Sequence, residues 1–134
     1  MITPLRYDDG KIVKMQDATV SETTITKFDL LDYSSGYLQR ATNATTEVRW
    51  MAMEDKTTAA AAHEDLLVLY LDGVECEADT TADVTIGNRG VARDLTDHAT
   101  IDDTGTTDKV FFVTEMIGAT GDRKVRGYFC MKYL

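Results

Sequence analysis

The sequence is short of the residues on which much small-protein chemistry depends. It has one proline, two cysteines and two histidines in 134 residues. Two cysteines, Cys76 and Cys130, do not make a disulfide framework. Each lies in an apolar, strand-like stretch, so two readings stay open: a pair of small buried hydrophobes, or one bridge between strands. His63 and His98 have no second ligand at His-x-x-x-His spacing, and a zinc site needs three or four convergent ligands. Loop or surface positions are expected for both, with no metal and no other cofactor. No apolar run approaches the length of a membrane span. No basic start followed by an apolar stretch marks a signal peptide. The expectation is a soluble protein made in the cytoplasm, without a membrane partner. Cations are also scarce: 14 Lys and Arg stand against 23 Asp and Glu, a net charge of −9. A field of that sign opposes phosphate backbones and anionic lipid, so no nucleic-acid partner is expected. The one dense cationic run, Arg123-Lys124-Val125-Arg126, reads as a solvated loop and strand edge.

What remains is ordinary in amount and distinctive in arrangement. A chain of this size makes one domain and buries roughly two-thirds of its unfolded surface, enough for a core without staples. Extended structure is predicted for Thr19–Phe28, rich in Thr, Val and Ile. Two short strands flank Ser34-Ser35-Gly36. Glu47–Glu54 alternates in part, with Val48, Trp50 and Ala52 on one face and Arg49, Met51 and Met53 on the other. Ala59–Ala62 holds the best helix formers but is too short to be stable alone, so one helical turn or a packed loop is predicted. Leu66–Leu71 reads as a strand buried on both faces, or as a central one. Asp72-Gly73, between it and Val74–Ala78, is the strongest hairpin signal in the chain. A turn follows at Gly87–Gly90, then a short strand at Val91–Leu95. Val110–Ile117 and Val125–Leu134 are the last strands, with a turn at Gly118–Lys124. Strands at this spacing, with no sustained helical period, predict an all-β barrel or sandwich with at most one short helix. Met1–Ala18 has no clean period. It fits either an arm ordered against a neighbour or a first strand with a frayed end.

Candidate chemistry is sparse. Asp94, Asp97, Asp102, Asp103 and Asp108 crowd one Thr- and Gly-containing region of the kind calcium favours, but the EF-hand spacing is missing and a solvated acidic loop is expected. Gly118-Ala119-Thr120-Gly121-Asp122 lacks the Gly-Lys-Ser/Thr ending of a phosphate-binding loop and reads as a hairpin turn. Trp50 with Tyr33, Tyr37, Tyr70, Tyr128 and Tyr133 offers either a sugar- or protein-binding face or ordinary core packing.

The layout resembles the capsid decoration, or cement, proteins of tailed bacteriophages. The matching segments are Gly36-Tyr37-Leu38-Gln39-Arg40-Ala41-Thr42, Val48–Ala52, Ala59–Ala62, Leu67–Leu71 with Gly73-Val74, and Ile86–Val91. Together they span roughly Phe28 to Phe129. The resemblance implies an N-terminal arm at residues 1–18 and a β-barrel decoration domain at residues 19–134. It also implies a non-enzymatic virion protein on the capsid exterior, a homotrimer whose partner is the major capsid protein. Leu5, Tyr7, Ile12 and Trp50 are the candidate capsid or oligomer contacts. Met1–Ala18 is mixed and charged, and so departs from the Gly/Pro-rich arms of many such proteins. The alternatives are another virion part, such as a head–tail connector or tail protein, and a carbohydrate-binding module.

Overall fold

The structure, a computed structural model, describes residues 1–132. Its strands are β1 (Ile2–Arg6), β2 (Ile12–Met15), β3 (Thr24–Ile25), β4 (Leu30–Ser34), β5 (Tyr37–Arg40), β6 (Trp50–Ala52) and β7 (Lys56–Thr57). They continue with β8 (Leu66–Tyr70), β9 (Glu75–Thr80), β10 (Ala92–Arg93), β11 (Thr100–Ile101), β12 (Phe111–Met116) and β13 (Lys124–Phe129). The fold is all-β, as predicted. One sheet runs β1-β9-β13-β12-β10, with β11 beside the end of β9; the second runs β2-β8-β6-β4-β5; β3 and β7 form a small ribbon. Tyr133 and Leu134 lie outside the described residues, so the predicted closing strand is seen only as Lys124–Phe129.

The two large sheets sandwich the main core. Ile2, Cys76, Ala78, Val113 and Val125 from the first meet Leu30, Met51 and Leu69 from the second, all at most 1% exposed. A second core lies on the other face of the second sheet, where Leu31, Leu38, Ala52, Leu66 and Val68 pack under Ala18 and Ile25. Leu66, Val68, Leu69 and Leu71 are therefore all fully buried, in agreement with the two-faced burial predicted for that run. Glu47–Glu54 keeps the predicted division from Trp50 to Met53, with Met51 and Met53 on the main core, and departs from it at Val48. Trp50 and Ala52 serve the second core, whereas Val48, which precedes the strand, joins the main one.

The Asp72-Gly73 hairpin is corrected. β8 pairs with β2 and β6, and β9 with β1, β13 and β11; the two never pair with each other. The turn closes by a 3.1 Å bond from the Val74 amide to the Leu71 carbonyl, and it carries the chain from one sheet to the other. Of its two central residues only Gly73 has positive φ, +72°. Those are the signs of a type II turn, which splays its flanking strands rather than matching their twist. Leu71 and Val74, both buried in the main core, hold the corner from inside. The tight hairpin is at Ser35-Gly36, where φ is +50° and +87°, the pattern of a type I′ turn, and Ser34 faces Tyr37 across β4 and β5.

A further expectation changes. Residues 1–18 do not form an arm. β1 pairs with β9 and β2 with β8, and Ile2 is fully buried, because burying its side chain between the sheets outweighs leaving the segment free. Pro4 suits the free side of β1, an edge strand with no outer neighbour for a missing amide to disappoint. Of the two alternatives at Ala59–Ala62, the loop forms and the helical turn does not. Ala61 sits at φ +59° in a tight turn, and the short 3-10 segments are instead Asp9–Lys11 and Ile86–Asn88.

Candidate functional site

The predicted contact residues do not share one surface. Tyr7 and Ile12 are half-buried against the main core. Leu5, 40% exposed, sits at the bulge of β1 on the first sheet. Trp50 lies on the opposite side of the molecule, on the outer face of the second sheet, against the second core. Two separate surface features result.

The first is the uncovered outer face of the first sheet. Phe112 and Tyr128 are directly paired across β12 and β13, and they are 42% and 37% exposed. The Tyr128 hydroxyl donates to Glu75 on β9 at 3.4 Å. Beside this pair runs a ladder of charges. Lys124 reaches Asp79 at 3.1 Å and Glu77 at 3.5 Å, and Arg126 reaches Glu75 at 3.8 Å. Arg123 pairs with Asp83 at 3.1 Å. The cationic run, expected at a solvated strand edge, instead places Lys124 and Arg126 on β13 between β9 and β12, where alternating carboxylates of β9 pair with both. A phosphate backbone would have to compete with them.

The second feature surrounds Trp50. Register places Trp50 beside Tyr70 on β8 and Leu31 on β4. The Trp50 ring lies 5.2 Å from that of Tyr70 at 44°, and its indole N–H donates to the Tyr33 hydroxyl at 2.8 Å. The Lys11 ammonium stands 5.6 Å from the Tyr70 ring centre. Next to these rings is a cleft of about 190 Å³ lined by Leu31, Asp32, Tyr33, Thr46, Glu47, Arg49 and Trp50. Of the other aromatics singled out in the sequence, Tyr37 stacks on His63 at 3.8 Å, and Tyr133 lies outside the described residues.

The acidic region is an internally hydrogen-bonded loop in which Asp97, Asp102, Asp103 and Asp108 keep partial exposure to solvent. Asp94 is buried, and its carboxylate accepts the amides of Thr107, Asp108 and Lys109 at 3.0, 2.7 and 2.8 Å. Asp102 accepts the amides of Thr104 and Gly105, and the Thr104 bond is the main reason its carboxyl titrates below the usual value. Among the described residues no group of three or more His, Cys, Asp or Glu is arranged to hold a metal ion. His98 lies in a loop, with Nε2 3.6 Å from the buried Asp29, which also takes the Arg40 guanidinium at 2.6 Å. His63 donates Nδ1–H to the Thr19 carbonyl at 2.8 Å. Both cysteines are free thiols. Burial, helped by Glu75, pushes the Cys76 thiol up to about 12, and burial also raises Cys130. The Gly118–Asp122 segment is a hairpin turn between β12 and β13, as predicted, with Asp122 accepting the Ala119 amide at 2.9 Å. No helix among the described residues is long and apolar enough to cross a membrane.

No family model, curated protein or solved structure matches this chain.

Proposed function

We propose that this chain is a non-enzymatic virion structural protein that binds the outer surface of an assembled tailed-phage capsid. It bridges neighbouring major capsid subunits there, as a homotrimer. The layout resemblance to decoration proteins supports the reading, and the all-β sandwich agrees with it. The observation that carries it is the outer face of the first sheet, where Phe112 and Tyr128 stand paired and exposed beside a charged ladder. An aromatic centre with a charged rim is the anatomy of a protein-binding patch. Leu5, also exposed, lies on the edge strand of the same sheet.

The physics of such a role is linkage. A protein that binds the assembled shell and not its free subunits stabilises the shell by mass action. Contacts to several subunits at once add avidity without any new type of contact. The test is co-sedimentation with purified expanded shells, alongside light scattering of the free protein. A trimer that pellets with shells and ignores free capsid subunits is the expected result. A strict monomer that stays in the supernatant would overturn the proposal, and rings or tubes in solution would point to a connector or tail component.

A further inference from the structure

The cleft beside Trp50 is independent of the shell-binding proposal and faces the other way, because the main core lies between the two sheets. Antiparallel register sets Tyr70, Trp50 and Leu31 side by side on three neighbouring strands, with Tyr33 further along β4. The indole is held at two edges, by the Tyr33 hydroxyl and by the tilted Tyr70 ring. Its single N–H is therefore spent inside the protein, and what the ring offers a ligand is π surface. Tyr33 is 48% exposed and completes the aromatic wall.

The polar side of the cleft is equally fixed. Asp32 accepts the Tyr33 amide on one carboxylate oxygen and the Thr45 hydroxyl on the other, each at 2.8 Å. A carboxylate oxygen has two acceptor sites, so each retains one for a hydroxyl donor. Glu47 and Arg49, ion-paired with each other, form the far wall. A rigid aromatic surface against a pre-oriented acceptor suits a ligand with an apolar C–H face and hydroxyls around its rim. That is the build of a pyranose ring. The cleft, about 190 Å³, is smaller than the pockets that take drug-sized ligands, roughly 300 Å³ and upward, and matches a single ring. The net charge of −9 opposes acidic sugars.

We infer that this cleft binds one neutral hexopyranose unit of a glycan, with Trp50 and Tyr33 as the stacking wall and Asp32 as the hydroxyl acceptor. Trp50 is the only tryptophan, so its emission reports the site directly. The experiment titrates the purified chain, without shells, with methyl glycosides of neutral hexoses and with sialic acid, followed by fluorescence and calorimetry. The expected result is a saturable emission change for at least one neutral hexose, with Kd on the order of 1 mM. Tyr33→Ala and Asp32→Asn should each weaken it at least about fivefold while circular dichroism stays unchanged. No saturable response to any neutral hexose up to roughly 100 mM would overturn the inference. So would binding confined to sialic acid, or neutral-hexose binding that both folded variants retain. Failure here leaves co-sedimentation with shells untouched, so the two proposals stand or fall separately.

Discussion

Gly127 and the Phe112 carbonyl are in contact so close that no side chain fits between them. A Cβ built on Gly127 would lie 2.0 Å from the Phe112 oxygen and 2.9 Å from the Phe111 ring. Gly127 sits inside β13, paired with Cys76 on one side and Val113 on the other, and the atoms that crowd it all belong to β12. Strand propensity alone would favour replacing it. Here Gly127→Ala must push β12 and β13 apart, and the loss should be about 3 kcal/mol, at the upper end of overpacking costs. Urea unfolding measures it. A neutral substitution would show that the two strands can shift freely.

Asp94 anchors the long loop before β12, because three consecutive amides have no other partner of comparable strength. Asp94→Ala removes the partner of all three part-buried bonds at once and should cost about 3 kcal/mol. Asp94→Asn keeps one acceptor oxygen and should cost about half as much. Hydrogen exchange should accelerate at Thr107, Asp108 and Lys109 before it does in β12. Equal losses for the two variants would mean that the neutral amide oxygen recovers nothing and that the charged carboxylate is required.

Local signals in the sequence carried the strands well and their partners poorly. Leu66–Leu71 could be read as buried on both faces because an unbroken apolar run admits little else. The turns at Ser35-Gly36 and Asp72-Gly73 look alike in sequence, yet one joins partners and the other joins sheets. The difference lies in the φ of the first central residue and in the burial of Leu71 and Val74, which belong to tertiary packing. Ala59–Ala62 has helix propensity but lies in a largely exposed loop, where the turn at Ala61 prevails. The Trp50 site draws on Tyr33 and Tyr70, 17 and 20 positions away, and only antiparallel register brings them together. In sequence Asp94 is one of five acidic residues in its region; its role depends on amides 13 to 15 positions onward.

The free thiols should differ sharply from those of an unfolded chain. With its pKa near 12, Cys76 is ionised to roughly one part in ten thousand at pH 8, and the thiolate is the reactive form. A chromogenic disulfide reagent should therefore leave Cys76 unmodified in the folded protein. Cys130, half-buried and raised less far, should react slowly. Both should react at once in denaturant. Two fast equivalents under native conditions would refute the burial of Cys76, and none in denaturant would reveal a bridge.

Acid stability should fall along a limb set by Asp65, Asp79 and Asp102, each held below the ordinary carboxylate value of 3.8. For Asp65 the main cause is the Asp17 amide, which donates to it at 2.9 Å. For Asp79, burial works against the charge, but the N-terminal ammonium at 2.6 Å and Lys124 outweigh it. A carboxyl that releases its proton more readily when folded favours the folded state wherever the unfolded chain would also be ionised. That contribution is complete above about pH 4 to 5 and disappears as pH falls through the lowered folded-state values. Stability should thus be level with respect to these groups from neutrality to about pH 5 and should decline below about pH 4. Asp79→Asn should lower the plateau and flatten the decline, since its charged form no longer distinguishes the two states. Salt should act in the same direction, because the Asp79 pairs are partly exposed and screened. Thermal melts of the two proteins from pH 3 to 7 decide the matter: parallel curves would exclude Asp79 from the acid limb.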